Sequence, residues 1–160
     1  MSTWGEVRAA APELAAAVRA CFDAHVHKVI ATLRRDGAPR VSGTEATFDD
    51  DEIWLGMMLD SMKARDLQRD PRFALHSATA DPKMQGGDAK LGGRAIEVLD
   101  DAVFDAFVAR LAVDHEEVPE ERFHLFRVDV AEIVRTTVEG DHLVIESWHE
   151  GSGSKRVERA

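Results

Sequence analysis

The sequence predicts one mainly-β domain with three helices at its rim or ends. From residue 27 onward, short segments rich in β-branched residues alternate with turn signals, which is typical of antiparallel strands. Three other segments carry helix signals: an Ala- and Leu-rich start and two stretches that follow polar capping residues. The 160 residues suffice for one domain with a full core, and neither a repeat nor a linker divides them.

Residues 1–26 predict an N-terminal helix. Leu14, Val18 and Phe22 recur at intervals of four, which places them on one helix face, and Pro12 is tolerated in a first turn. The barrel is expected over residues 27–149. Residues 150–160 form a polar tail that we expect to be mobile.

Within residues 27–149 the period of the apolar residues changes to two. Asp36-Gly37 and Glu139-Gly140-Asp141 are hairpin signals, and Gly92-Gly93 indicates a bulge or a close backbone approach. Two helices interrupt the strands, at 61–69, ended by Asp70-Pro71, and at about 100–117. The strands are predicted at 27–34, 40–48, 52–58, 72–80, 89–99, 123–137 and 142–148.

Composition excludes several classes of protein. The net charge of −10 disfavours general nucleic-acid binding, so any anion site must be local. The single cysteine, Cys21, cannot form an internal disulfide and favours a reducing compartment. No apolar run approaches the roughly 20 residues of a membrane span, and the charged N-terminus lacks a signal-peptide pattern. We therefore expect a cytoplasmic protein with no membrane or nucleic-acid partner.

Lys63 occupies an unusual place in the predicted helix 61–69. It falls in the first turn, whose free N–H groups already carry partial positive charge, and Asp60 or Ser61 is the candidate N-cap. Two interpretations remain open. A serine hydroxyl, free N–H groups and an ammonium at a helix start suit a bound phosphate, whereas a solvated lysine costs only a few tenths of a kcal/mol.

Two segments in this order resemble a known superfamily. They are ATLRRDGAPRVS at residues 31–42 and IWLGMMLDSMKARDLQRDPRFAL at residues 53–75. Together they resemble the split β-barrel flavoproteins, which include the pyridoxamine 5′-phosphate oxidases and their flavin- or deazaflavin-dependent relatives. The resemblance implies a homodimeric FMN-binding split barrel with its cofactor at the subunit interface. It also implies an oxidoreductase that uses F420 or FMN for hydride transfer to or from a small organic substrate.

The resemblance also implies site residues. In the family, the strand at Arg40 follows the ring, Met57 and Met58 lie beside it, and Ser61 and Lys63 bind the phosphate. The partner subunit supplies a tryptophan and an arginine. The implied cofactor-binding residues are Arg40, Val41, Ser42, Met57, Met58, Ser61, Met62, Lys63, Trp148 and Arg156.

Two positions depart from the family pattern. Met62 stands where an arginine or another polar residue is usual, which removes one cation, and Glu45 stands where some relatives carry lysine. Both departures bear on cofactor identity and affinity.

Two questions stay open at this point. The excess of arginine over lysine is typical of GC-rich genomes, where F420-using relatives are common, and Arg65, Arg69 and Arg72 are candidates to receive the acidic tail of F420. The alternative to an enzyme is a non-catalytic carrier of flavin, haem or tetrapyrrole. The sequence holds no nucleophile–base pair and no histidine or cysteine set at metal-ligand spacing, so catalytic residues stay unknown and no metal site is expected.

Overall fold

The computed structural model describes residues 1–49, 51–78, 83–84, 86–114 and 121–160. Those residues form four helices and nine strands. The helices are α1 (Trp4–Ala10), α2 (Pro12–Asp23), α3 (Met62–Arg69) and α4 (Asp101–Asp114). The strands are β1 (Lys28–Leu33), β2 (Pro39–Thr44), β3 (Thr47–Phe48), β4 (Ile53–Met57), β5 (Arg72–His76), β6 (Asp88–Glu97), β7 (His124–Glu139), β8 (His142–His149) and β9 (Gly153–Arg159).

All nine strands belong to one antiparallel sheet. Its order is β2-β1-β5-β6-β7-β4-β3, with β8 paired to β7 and β9 paired to β8. The sheet curls, so that β2 at one end contacts β4 near the other. This is the mainly-β split barrel with peripheral helices that the sequence predicts.

A bulge in β6 bends the sheet where Gly92-Gly93 predicts it. The β6–β7 register shifts between these two glycines. A Cβ on Gly93 would lie 2.0 Å from the carbonyl oxygen of Asp129, so the strands approach too closely there for any side chain. The prediction from the Gly-Gly pair is confirmed.

The barrel has a large core and a smaller one. The large core lies between the sheet and the first two helices, with Trp4, Phe22 and Phe126 at most 1% exposed. The smaller one, under α4, is built from Trp54, Phe104, Phe107 and Leu125. Within the described ranges, no helix combines the length and the apolar character that a membrane crossing requires.

The N-terminal segment differs from the prediction of one helix, because two helices meet at Ala11. The first is fixed by a capping box in which Thr3 and Glu6 bond each other's backbone N–H. This Thr-x-x-Glu pattern is legible in the sequence. The predicted strand 40–48 is likewise divided, into β2 and β3.

The last residues form a strand instead of a mobile tail. Gly151 and Gly153 both have positive φ and shape the turn that returns the chain onto β8, where β9 pairs from Gly153 to Arg159. The expectation of a mobile tail is therefore wrong for these residues. The predicted ends of the fourth strand (79–80) and of the last helix (115–117) lie outside the described residues.

Candidate cofactor-binding site

Helix α3 begins directly after a tight change of direction. Asp60 has a φ of +60°, and Ser61 is the extended N-cap whose hydroxyl accepts the N–H of Ala64 at 3.4 Å. The first turn contains Lys63 and no acidic residue. The partial positive charge of the helix start is therefore uncompensated within its own turn.

Lys63 ties this first turn to β2. Its Nζ donates a hydrogen bond to the carbonyl oxygen of Gly43 at 2.5 Å. Burial lowers the pKa of Lys63, and the nearby Glu45 carboxylate partly opposes that shift. The half-buried ammonium thus faces the β2 backbone, an arrangement that neither interpretation of the sequence anticipated. Ser61, Lys63 and the Gly43 carbonyl are called the α3 notch below.

A buried carboxylate organises the neighbouring face of α3. Asp66 is 1% exposed and accepts hydrogen bonds from Arg40 Nε at 2.7 Å and from Thr32 Oγ1 at 3.0 Å. Arg69 Nη2 donates to the same carboxylate at 3.1 Å and also to the carbonyl of Leu33. Burial alone would raise the pKa of Asp66, but these hydrogen bonds hold it below its usual value.

An open cleft lies between α3 and the β1–β2 hairpin. Three of its residues, Met62, Asp66 and Arg69, share one face of α3, because residues three and four apart are neighbours on a helix. Its volume is about 390 Å³. The residues that line it are Arg34, Arg35, Asp36, Arg40, Met62, Asp66 and Arg69. We call it the hairpin cleft; with four arginines against two aspartates it is cationic in a chain of net charge −10.

Apolar side chains are exposed beside the notch. Val41, Met58 and Met62 are 70%, 78% and 52% exposed, whereas Met57 is buried in the large core. Ser42 is half-buried on β2. The structure therefore brings most of the predicted residues to one end of the barrel. Met57 is a buried core residue there and not an exposed one.

Trp148 and Arg156 lie elsewhere in the chain. Trp148 is 6% exposed and belongs to the large core, opposite Ile133. Arg156 is on β9, with ion pairs to glutamates 139, 146 and 158. Neither residue lines the hairpin cleft. Their contact with a cofactor held by a second subunit stays a prediction.

The three arginines proposed for the acidic tail of F420 do not lie together. Arg65 pairs with Asp60 at 2.8 Å and Arg72 pairs with Asp70 at 2.6 Å, and neither lines the hairpin cleft. Arg69 does line it.

Sequence reasoning missed four residues of the cleft, Arg34, Arg35, Asp36 and Asp66. Two consecutive arginines at a hairpin turn, facing an Asp-x-x-Arg helix face, were the available signal.

Metal-ligating side chains do not gather in the described part of the chain. No group of three or more histidine, cysteine, aspartate or glutamate residues there is arranged to hold an ion. The chemistry that this end of the barrel offers is instead the recognition of anions, by an ammonium, four guanidiniums and a helix N-terminus.

Comparison with known proteins identifies the family and the fold. The family model for pyridoxamine 5′-phosphate oxidase matches residues 14–136. A search of curated proteins found no match.

Solved structures share the fold at low sequence identity. PhzG from Burkholderia lata 383, in complex with tetrahydrophenazine-1-carboxylic acid, is 15% identical over 96% of this chain and 91% of its own, with a TM-score of 0.62. A pyridoxamine 5′-phosphate oxidase-related, FMN-binding protein from Nostoc punctiforme PCC 73102 is 15% identical over 96% of each chain, with a TM-score of 0.61. A protein named F420 reductase is 19% identical over 68% of this chain and 88% of its own, with a TM-score of 0.53.

Proposed function

Because the chain belongs to the pyridoxamine 5′-phosphate oxidase family, we propose that it is an oxidoreductase that binds F420 or FMN and transfers hydride to or from a small organic substrate. One observation carries the proposal. The first turn of α3 follows the Ser61 cap, contains no acidic residue, and holds Lys63, whose ammonium reaches the backbone of β2. That combination, in a chain of this family, suits the phosphoryl group of a cofactor.

The α3 notch fits a phosphate chemically. Lys63 now donates to a neutral carbonyl, and a phosphate oxygen is a stronger acceptor for an ammonium. The hydroxyl of Ser61 and the free N–H groups of the first turn supply further donors. A phosphate would therefore replace one hydrogen bond to a neutral acceptor with several to a charged one.

The surface beside the notch suits a planar ring. Val41 and Met58 expose apolar surface there. Strand β2 is the terminal strand in the sheet order, so the backbone groups on the side away from β1 make no hydrogen bonds to β1. When bound, the cofactor supplies the hydride chemistry. Backbone N–H groups near Val41 and Ser42 would stabilise negative charge on the reduced ring.

We further propose a homodimer with the cofactor at the subunit interface. Arg156 lies exposed on strand β9, and the family resemblance assigns it to the cofactor held by a second copy. A closed two-fold pair is also the commonest oligomer. Trp148 is buried in the large core and would then act on the interface only indirectly.

Spectroscopic titration tests the proposed function. The protein is titrated with FMN, F420 and haem, and the bound reduced cofactor is then mixed with quinones, enones and tetrapyrroles while its absorbance is followed. The proposal expects tight binding of FMN or F420 and reoxidation by at least one substrate. Binding without turnover across the screen favours the carrier, and binding of haem alone refutes the flavin assignment.

A further inference from the structure

A histidine and a glutamate meet where three strands end beside α3. His124 is the first residue of β7 and pairs with Met57, the last residue of β4, and Glu97 is the last residue of β6. The imidazole Nδ1 lies 2.6 Å from Glu97 Oε1, and the two side chains are 19% and 22% exposed. The neighbours of the ring on β4 and β7, Met57 and Phe126, are uncharged. Neither member of this Glu97–His124 pair is a predicted cofactor-binding residue, and neither lines the hairpin cleft.

The carboxylate fixes the orientation of the imidazole. Glu97 is itself held from α3, because Gln68 Nε2 donates to both of its oxygens at 3.1 Å. Since an ionised carboxylate only accepts, Nδ1 of His124 is the nitrogen that carries the proton of this bond. The other ring nitrogen, Nε2, makes no hydrogen bond to the residues that the structure describes. One nitrogen is therefore anchored and the other is available to a ligand, the arrangement in which a histidine holds and transfers a proton.

Two carboxylates surround the place where an imidazolium charge would form. Glu97 contacts the ring from β6. Asp60 lies in the turn before α3; its pKa is lowered first by the hydrogen bond from Arg65 and, to a smaller extent, by His124. Arg65 is paired with Asp60 at 2.8 Å, so its charge is compensated. A proton taken up by the ring thus meets negative charge on two sides.

The pair shares a turn with the surface proposed for the ring of the cofactor. Met58 directly follows the strand partner of His124, is 78% exposed, and accepts the N–H of Ser61 through its carbonyl oxygen at 3.2 Å. Leu59, in the same turn, is 54% exposed. Apolar surface for a small organic molecule and a histidine with an unused ring nitrogen therefore belong to one short stretch of the barrel end.

We propose that His124 is a catalytic residue that gives a proton from Nε2 to the carbonyl oxygen of an enone substrate, and that Glu97 is its positioning residue. The inference rests on the proposed function and deepens it by naming the substrate class. Hydride from the reduced cofactor adds to the β-carbon of the enone, and the two π bonds shift toward the oxygen. The oxygen gains an electron pair and takes the proton from Nε2, which leaves an enol that isomerises to the ketone. The enone is reduced by two electrons, the cofactor is oxidised, and the imidazole regains its proton from water.

Two measurements on the full chain loaded with FMN or F420 test this role. Calorimetry measures the binding of para-nitrophenol to the oxidised complex, because a phenolate oxygen imitates the charged oxygen that forms during hydride addition. Stopped-flow absorbance measures the reoxidation of the reduced complex by cyclohexenone between about pH 5 and about pH 9. The variants are His124→Gln and Glu97→Gln. The matched control is His142→Gln, which removes a histidine paired with Asp141 at 2.5 Å, at the other end of β7.

The expected result separates the role of the proton donor from that of its anchor. His124→Gln should weaken para-nitrophenol binding about tenfold or more and slow cyclohexenone reduction about 100-fold or more. The wild-type rate should fall as rising pH removes the proton from the donor, and His124→Gln should lose this dependence. Glu97→Gln should give intermediate losses and keep the pH dependence. The control should behave as the wild type, and all variants should keep cofactor affinity within about twofold.

Three results overturn the proposal. The wild type binds its cofactor but does not reduce cyclohexenone, His124→Gln keeps the wild-type rate and pH dependence, or His124→Gln loses cofactor affinity and melting temperature as far as it loses activity, which means that the pair only braces α3. Failure of the proposed function has a different signature. In that case the wild type binds neither FMN nor F420, and this inference falls with it.

Discussion

Replacing Lys63 with alanine is the sharpest single perturbation of the α3 notch. The substitution removes the ammonium at the second residue of α3 and its hydrogen bond to Gly43. The proposed phosphate would lose one charge-assisted hydrogen bond. We therefore expect weaker binding of FMN or F420.

The size of the loss follows from the contacts of Lys63. A hydrogen bond to a charged group contributes about 1.5–3 kcal/mol, which corresponds to roughly a 10- to 150-fold change in Kd. In the free protein Lys63 already donates to the Gly43 carbonyl, and that bond is given up when phosphate binds. The net effect should lie in the lower part of the range, at about 10- to 30-fold.

The assay compares FMN with riboflavin, which lacks the phosphate. Fluorescence titrations are run on wild type, Lys63→Ala and the control Arg65→Ala, which removes an exposed cation of the same helix that pairs with Asp60. Melting temperatures show whether losing the tie to β2 loosens α3. Phosphate recognition by Lys63 predicts that FMN weakens, riboflavin does not, and the control matches wild type.

Two outcomes refute this reasoning. Unchanged FMN affinity in Lys63→Ala removes Lys63 from the phosphate site. An equal loss of FMN and riboflavin affinity means that the residue acts through the structure of the notch alone.

Further consequences concern stability and assembly. Asp66→Ala should lower the unfolding free energy by about 1–3 kcal/mol in a urea titration, because it removes the buried acceptor of Thr32, Arg40 and Arg69, whose guanidiniums are themselves partly exposed. The folded-state pKa of Asp66 is depressed, so its contribution to stability is present above the ordinary aspartate pKa of 3.8 and is lost as pH falls through the folded-state pKa. In Asp66→Asn the unfolding free energy should therefore fall less steeply as the pH is lowered. A decrease as steep as in the wild type contradicts this. Gly93→Ala should unfold the protein or cost several kcal/mol, because its Cβ would meet the Asp129 carbonyl, whereas Gly43→Ala, with open space, should melt like wild type; equal melting temperatures would refute the close approach. Sedimentation should give a dimer, and Arg156→Ala should weaken cofactor binding without lowering the melting temperature; a monomer that binds cofactor tightly defeats the interface proposal.

Local signals predicted the parts of the fold that one segment determines by itself. The Asp36-Gly37 hairpin, the Gly92-Gly93 bulge and the Ser61 cap each depend on neighbours in sequence, and each is found where the pattern indicates it. Strand β9 was not predicted because its residues are mostly charged or polar and it forms a strand only by pairing with β8.

The candidate site was predictable only in part for the same reason. The sequence predicted a helix start at Ser61 with an unusual cation, Lys63, in its first turn. The Asp66 network and the hairpin cleft depend on tertiary contacts between α3 and β1–β2, residues more than 25 positions apart, and spacing along the chain carries no sign of such pairs.

Equilibrium binding of FMN and F420 to the wild-type protein tests the central claim most directly. The account predicts a saturable complex with at least one of them, with riboflavin bound more weakly than FMN. Two results contradict a cofactor site that binds phosphate at the start of α3. In one, neither FMN nor F420 binds; in the other, FMN and riboflavin bind equally well.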